Sequence, residues 1–447
     1  MKGKTESLYR DEGVSRRASK LLAGRALPAG WETAPLKRVC RLNPESLSEN
    51  TDPALEFGYV DIGSVSSTGT IVETEPTTFE KAPSRARRAV RPNDVILATV
   101  RPYLKAVALI EDKGLIASTG FAVLRAHQSL DPRFFWRYLQ SDPFIELVVA
   151  RSVGVSYPAI SPSELGALPV LVPPKATQRA IADFLDRETD RIDDLIAQKE
   201  RLLELLEEQR MAMITQAVTK GLDPDVEMKD SGVEWIRRFP AHWTVHALKH
   251  SWTRAEYGLS TSLSGTGPIP VLTMAHIQKG ETTIPAGGSI HEADVPDGLF
   301  LRKGDILYNR TNSRTLVGKV GLIANTPRSK ATFASYLVRL RTNKRADPLF
   351  LRYLLNTETF LGFAQSHALL SINQANLNPS RYGALPVALP PVEEQVAIAK
   401  RIQELDLSIK KLGKPLLQAT RLLREHRTAL ISAAVTGKIN VQDRSTA

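Results

Sequence analysis

The chain contains itself twice, and that duplication constrains its fold more than any other property. Near the start of each copy stands a Pro-Ala-x-Trp unit, Pro28-Ala29-Gly30-Trp31 and Pro240-Ala241-His242-Trp243. Downstream, Gly166-Ala167-Leu168-Pro169-Val170 returns as Gly383-Ala384-Leu385-Pro386-Val387, and Pro173-Pro174 followed by Gln178 returns as Pro390-Pro391 followed by Gln395. Each copy closes a long apolar-periodic stretch with Ala217-Val218-Thr219 or Ala434-Val435-Thr436. The offset is 212 residues at the front (Pro28 to Pro240) and 217 at the back (Val170 to Val387), so few residues were gained between the copies. A period this long is too large for a solenoid and reads as duplication of a globular domain together with its following helix. Two similar units on one chain suit a ligand with two similar, spaced halves.

The pattern divides the chain into a polar, basic arm (residues 1–26), a first domain (27–174), a long helix (175–221) and a connector (222–238). A second domain (239–391), a second long helix (392–438) and a tail (439–447) follow. Within the domains, Val95 to Leu97 and Ala106 to Ile110 read as buried strands after the Pro92-Asn93-Asp94 turn, and Phe134 to Leu139 as a helix after Asp131-Pro132. Asp305 to Tyr308, Val320 to Ala324 and Leu349 to Leu355 repeat that order. Both are mixed α/β units, which makes the chain α+β overall.

After Pro174 no proline occurs until Pro224. Apolar residues at alternating spacings of three and four include Ile181, Leu185, Ile192, Leu195, Leu202 and Leu206. The second copy carries Ile398, Ile402, Leu405, Ile409, Leu412 and Leu416 in the same register. That is a heptad seam in both copies, and it predicts that the helices pack on each other. Either relative direction satisfies the pattern; antiparallel packing would carry the globular units to opposite ends. The competing reading has each helix packed only on its own domain. Pro415, beside Gly413, predicts a kink or a split into two shorter helices.

The composition is that of an ordinary globular protein, with a net charge of +11 that favours a polyanionic partner. No apolar stretch of membrane-spanning length and no secretory h-region is found, and the lone Cys40 excludes an internal disulfide; a reducing cytoplasm fits. No phosphate-binding loop, dinucleotide fingerprint or base-methyltransferase tetrapeptide is present. His242, His246 and His250 fall on a predicted strand, where their spacing builds no compact metal site, and Asp225, Glu227 and Lys229 sit in a linker. The chain is expected to be non-catalytic and to bind no cofactor or metal itself. Trp31, Trp243 and Trp235 are expected to be core anchors rather than base-stacking platforms.

Several stretches resemble the specificity subunit of Type I restriction–modification enzymes, the HsdS family. The join Thr219-Lys220-Gly221-Leu222-Asp223-Pro224, continuing through Val233-Glu234-Trp235 to Pro240-Ala241-His242-Trp243, is the strongest. Leu389-Pro390-Pro391-Val392-Glu393-Glu394-Gln395 and Ala434-Val435-Thr436-Gly437-Lys438-Ile439 also look like family signatures. The first copy departs from the pattern, with Lys175-Ala176-Thr177 where an acidic residue usually precedes Gln178. The resemblance implies two target-recognition domains with pseudo-two-fold duplication and two helices in an antiparallel coiled coil. It further implies two methyltransferase subunits docked on the helices, separate restriction/translocase subunits, and S-adenosylmethionine, ATP and Mg on those partners only. Each domain would read one half of a bipartite, asymmetric double-stranded DNA site.

Three clusters are candidates for DNA contact. Arg85 and Arg87, with Arg88 and Arg91, form a basic run; Arg101 and Lys105 follow a strand and correspond in position to Arg310, Asn312, Arg314 and Lys319. Ser156 and Tyr157 align with Asn373 and Gln374. Arg reads guanine and Asn or Gln reads adenine, whereas Lys more often holds phosphate. The alternative is a coiled-coil scaffold whose globular heads bind proteins, its basic charge serving solubility.

Overall fold

The computed structural model describes residues 27–72, 74, 76–260, 267–372 and 374–441. The expected basic arm (1–26) and the last six residues of the tail lie outside them. The described residues form two compact units: residues up to 200 together with those from 417 onward, and residues 201–416. Each unit therefore holds one globular domain and a segment from each of the two long helices.

The first unit runs β1 (Glu32–Pro35), α1 (Leu36–Val39), β2 (Cys40–Leu42), β3 (Glu56–Val60), β4 (Pro76–Thr78) and β5 (Ala86–Ala89). It continues with β6 (Asp94–Ala98), β7 (Val107–Leu109), β8 (Leu115–Ser118), β9 (Phe121–Ala126), α2 (Pro132–Gln140) and α3 (Asp142–Arg151). Then come α4 (Pro162–Ala167), β10 (Pro169–Val172) and the start of the first long helix, α5 (Lys175–Lys220). Two four-stranded sheets result, ordered β2-β9-β6-β7 and β4-β3-β8-β5, with β1 paired antiparallel to β10. All five residues of β6 are buried, as a strand covered on both faces requires.

The second unit opens on a hairpin, β11 (Met228–Val233) and β12 (Ile236–Pro240), then β13 (Thr244–Ala247), β14 (Trp252–Tyr257), β15 (Val271–Leu272), β16 (Ile277–Gln278) and β17 (Glu281–Thr282). β18 (Ile306–Asn309), β19 (Thr311–Asn312), β20 (Val320–Leu322), β21 (Thr332–Phe333) and β22 (Leu337–Thr342) follow. The unit ends with α6 (Pro348–Leu355), α7 (Glu358–Ser366), β23 (Leu369–Ser371), β24 (Gln374–Asn376), α8 (Pro379–Ala384), β25 (Pro386–Leu389) and the second long helix, α9 (Val392–Val435). The order β14-β22-β18-β20 repeats β2-β9-β6-β7, and β13 pairs with β25 as β1 does with β10. The copies diverge beyond that frame: the second adds β17 and β16 to its main sheet and keeps only the parallel pair β15-β21 where the first has four strands.

The duplicated motifs prove to be structural devices. Pro132 and Pro348 open α2 and α6, whose N-termini are capped by the carboxylates of Asp131 and Asp347. Gln178, fully buried, accepts from the Asp131 backbone N–H at 2.7 Å and donates to the carbonyls of Ser129 and Pro173. Gln395 does the same for Asp347, Arg345 and Pro390. The glutamine after each Pro-Pro thus ties the start of a long helix to the cap of the preceding domain helix. Asp94 and Asp305, buried at the heads of β6 and β18, are gripped by Arg125 and Arg341 through both carboxylate oxygens.

Both long helices are continuous, and α9 passes through Pro415 without being divided in two. At about 1.5 Å per residue, the 46 residues of α5 extend roughly 69 Å. Inside the first unit Arg427 pairs with Asp193 at 2.9 Å and Arg424 with Glu200 at 2.5 Å; inside the second, Arg210 holds Asp406 at 2.7 Å. As the number rises on α5 it falls on α9, so the helices pack antiparallel. They also pack on the domains: Ile181, Leu185, Ile192 and Ile431 belong to the first domain's core, and Ile214, Val218, Ile398 and Ile402 to the second's. The helices therefore do both things the sequence left as alternatives.

The heptad register needs correction. Ile181, Leu185, Ile192, Ile398 and Ile402 are buried, and Leu206, Leu405, Ile409 and Leu416 are partly covered, but Leu195, Leu202 and Leu412 are exposed. The inward positions after Ile192 are Ile196, Leu203, Arg210 and Ile214, one residue beyond the expected Leu195 and Leu202, and Gly413 turns inward facing Leu203. The covered positions still alternate by four and three (Ile192, Ile196, Lys199, Leu203, Leu206 and Arg210 on α5; Ile409, Gly413, Leu416, Thr420, Leu423 and Arg427 on α9), so the heptad period is kept and every second position moves on by one residue.

Trp243 is fully buried and Trp31 partly so, each beside a glycine that ends a helix: Gly221 after α5 for Trp243, and Gly437 after α9 for Trp31. Trp235 donates to the Pro386 carbonyl and packs edge-on against Phe360. Cys40 is buried, its thiol pushed up to about 12 by desolvation. No helix among the described residues is long and apolar enough to cross a membrane.

Candidate nucleic-acid interface

In the first domain the chain leaves β6 at Ala98 and reaches Arg101, whose N–H donates to the Pro158 carbonyl at 2.8 Å. Arg101 and Lys105 both adopt left-handed backbone (φ 52° and 57°) on either side of the tight turn Pro102–Leu104. Such backbone costs a side-chain-bearing residue about 1–3 kcal/mol and gathers where geometry serves a function. The Arg101 guanidinium lies 4.1 Å from the centre of the Tyr157 ring, and its Nε is buried with no hydrogen-bond partner. It forms no ion pair among the described residues. Lys105, by contrast, is paired with Asp142 at the head of α3.

Ser156 and Tyr157 are exposed on the loop that crosses beside Arg101. Arg85 is exposed, without an ion pair among the described residues; its carbonyl accepts from Thr119, whose neighbour Gly120 accepts from Thr99. Backbone bonds thus join the Arg85 strand to the Arg101 loop. Arg87 is partly covered and lies 4.6 Å from the Phe79 ring centre. Arg91 is engaged by Glu45, whose carboxyl is held below its usual range by hydrogen bonding to Arg125 and then Arg91.

The second domain places an arginine in the same loop two positions earlier: Arg310 takes the backbone bonds that Thr99 takes in the first domain, and Asn312 stands where Arg101 does. Arg310 follows β18, its N–H bonded to the Tyr336 carbonyl at 3.0 Å and its carbonyl to the Leu377 N–H at 2.8 Å. Its guanidinium lies 5.1 Å from the Tyr257 ring centre, and again Nε is buried and unpartnered. The ring comes from β14, not from the position matching Tyr157. Arg314 is exposed and unpaired among the described residues. Asn312 is turned locally, its Nδ2 facing Met274 Sδ at 3.1 Å and its Oδ1 accepting from Ser313. Lys319 is not gathered with this group: it lines a cavity with Glu207, Arg210 and Arg352, against α5. Gln374 is exposed on β24, and Asn373 lies outside the described residues.

Sequence reasoning missed Tyr257 and a set of exposed apolar residues at the same edges: Tyr103, Leu104, Val153 and Val155 in the first domain, Leu369, Leu370 and Ile372 in the second. The available signal was Val-Gly-Val-Ser-Tyr and Leu-Leu-Ser-Ile in segments that otherwise read as loops. The remaining candidates resolve as structure. His242 bonds Glu394 at 2.7 Å, Lys229 donates to the Ala241 and Trp243 carbonyls, and no group of three or more His, Cys, Asp or Glu among the described residues is placed to hold a metal.

The family model for the Type I restriction modification DNA specificity domain matches residues 28–205 and again 259–417. The chain is 22% identical over 437 residues to the Type I restriction enzyme EcoKI specificity subunit of Escherichia coli K12, covering 94% of this chain and 91% of that protein. It is 21% identical over 431 residues to the StySPI specificity subunit of Salmonella potsdam, with the same coverages. A solved structure described as the basis of complex assembly and conformational transition in the type I R-M system shares the fold, with a TM-score of 0.71 at 24% identity over 93% of this chain and 100% of that one. With the model matched twice, over more than half its residues, the chain belongs to the family of Type I restriction modification DNA specificity domains.

Proposed function

We propose that this chain is the non-catalytic specificity subunit of a Type I restriction–modification assembly. Each globular domain, 27–174 and 239–391, reads one half of a bipartite, asymmetric duplex site. The paired helices dock two methyltransferase subunits and set the gap between half-sites. S-adenosylmethionine, ATP and Mg belong to the methyltransferase and restriction/translocase subunits.

The observation that carries this reading is that the loop after matching strands holds an arginine in each domain, Arg101 in one and Arg310, two positions earlier, in the other; neither makes an ion pair among the described residues, and each lies against a tyrosine ring with Nε unpartnered. A guanidinium braced by a ring is pre-set to present its fork to a guanine edge. The rings and neighbours differ between the copies, which suits two unlike half-sites, and the net charge of +11 suits the phosphate backbone. Arg85 and Arg314 supply free positive charge beside the two arginines.

Methylome sequencing with and without the gene tests it. Removal of the gene should abolish one bipartite adenine-methylation motif. Replacement of residues 27–174 by another family member's first domain should change one half of that motif only. An unchanged methylome, or change in both halves after the swap, would overturn the reading.

A further inference from the structure

Beside each arginine stands a small projecting turn with an apolar tip, a two-stranded hairpin in the second domain and a loop closed by a single β-bridge in the first. In the first domain Val153 and Ala159 exchange both backbone hydrogen bonds, at 2.8 and 3.0 Å, closing a hairpin over residues 154–158, and Ala159 bridges to Val100 next to Arg101. In the second, β23 and β24 form a hairpin with Ser371 opposite Gln374, and β24 pairs with β19, which begins next to Arg310. The topology is the same, so the ribbon is part of the duplicated design.

The tips are apolar where water would favour polar residues. Val153, Val155 and Tyr157 are 77%, 66% and 65% exposed; Leu370 and Ile372 are 62% and 92% exposed. Isolated exposed apolar residues need no explanation, but clusters on projecting loops mark contact surfaces. Arginines that make no ion pair among the described residues flank both, so the surface that meets them is anionic. A two-stranded ribbon fits a DNA major groove about 12 Å wide and not a minor groove about 6 Å wide, and the apolar feature a major groove offers is the thymine C5-methyl.

Resting on the DNA-reading function above, we propose that these ribbons enter the major groove and that their apolar tips, Val155 and Tyr157 in one domain and Leu370 and Ile372 in the other, are specificity determinants that pack on thymine methyl groups. The arginine beside each tip reads guanine, and the tip recognises a neighbouring A·T pair.

The test uses the full chain, assembled with its methyltransferase subunits, and two random duplex pools that differ only in carrying thymine or uracil. From the thymine pool the wild type should select a bipartite motif. From the uracil pool that motif should lose its preference at one or more A·T pairs in each half, binding about fourfold weaker per lost methyl. Ile372→Ser should lose the same pair in one half only and become indifferent there to thymine against uracil. Val155→Ser should do so in the other half, and Ile372→Met should keep the preference. A uracil pool that returns the motif undiminished, or serine variants whose loss adds independently to that of uracil, would overturn the ribbon proposal and leave DNA reading intact. Selection of no motif from the thymine pool would overturn both.

Discussion

Arg101 offers the sharpest test of how this protein reads sequence, because Lys and Ala substitutions separate base reading from phosphate binding. The side chain stands 4.1 Å above Tyr157, makes no ion pair among the described residues, and carries an unpartnered buried Nε. If its fork grips a guanine, Arg101→Lys keeps the charge and loses the bidentate geometry. Such a contact discriminates by about 1–3 kcal/mol, or roughly fivefold to a hundredfold. Equilibrium binding of the assembled complex to its motif, and to duplexes with single base-pair changes, would be measured across a salt series. The expected result is relaxed discrimination at one base pair of one half-site, with the slope of log affinity against log salt unchanged. Phosphate binding predicts the reverse: Lys tolerated, and Arg101→Ala weakening all duplexes alike while lowering the slope by about 0.9. That second pattern would refute the assignment of Arg101 as a base reader.

Three further expectations follow from the scaffold. Gln395→Leu strands the buried Pro390 carbonyl and the half-buried Asp347 N–H, and at about 1–3 kcal/mol for each group left unsatisfied should destabilise the second unit by about 2–6 kcal/mol in urea unfolding; a change under about 1 kcal/mol would show that the glutamine is not the anchor described. Gly437→Ala should lower the melting temperature more than Gly221→Ala, because both glycines have positive φ but the new Cβ meets Pro28 at 2.8 Å in the first case and nothing nearer than 3.3 Å in the second; equal shifts would contradict that packing. His246 is held below its usual value by desolvation and then by His250 and Arg345, so its neutral form is favoured on folding. The stability it contributes is complete above pH about 6.5 and is lost as pH falls through its lowered value. Thermal melts from pH 8 to pH 5 should therefore fall less steeply for His246→Gln than for wild type, and parallel curves would exclude the effect.

Where the sequence was legible, a local physical rule was at work. Strands β6 and β18, the capped helices after Asp131-Pro132 and Asp347-Pro348, and the two long helices are written in short-range patterns of burial and capping. The arginines were found because duplication marks matching loops, although within the loop Arg310 is the counterpart of Thr99 and Arg101 that of Asn312. Their ring partners were not: Tyr157 lies 56 residues after Arg101 and Tyr257 lies 53 before Arg310, so the pairing depends on which element the fold brings alongside. Lys105 and Lys319 read as DNA-contact candidates, yet Lys105 is paired with Asp142 and Lys319 lines the cavity against α5.

Repetition within the chain determined by itself that there would be two domains of one design and two long amphipathic helices. Side-chain period determined that the helices would have a covered face, because apolar spacing is a property of adjacent residues. Tertiary structure alone decided which residues fill that face, since a one-residue change of register, at the same heptad period, leaves Leu195, Leu202 and Leu412 facing out and brings Ile196, Leu203 and Gly413 in. It alone decided that the second helix's end packs on the first domain's Trp31 while the first helix's end packs on Trp243 of the second domain. Contacts across hundreds of residues are chosen by packing of the whole unit, and no local pattern encodes them.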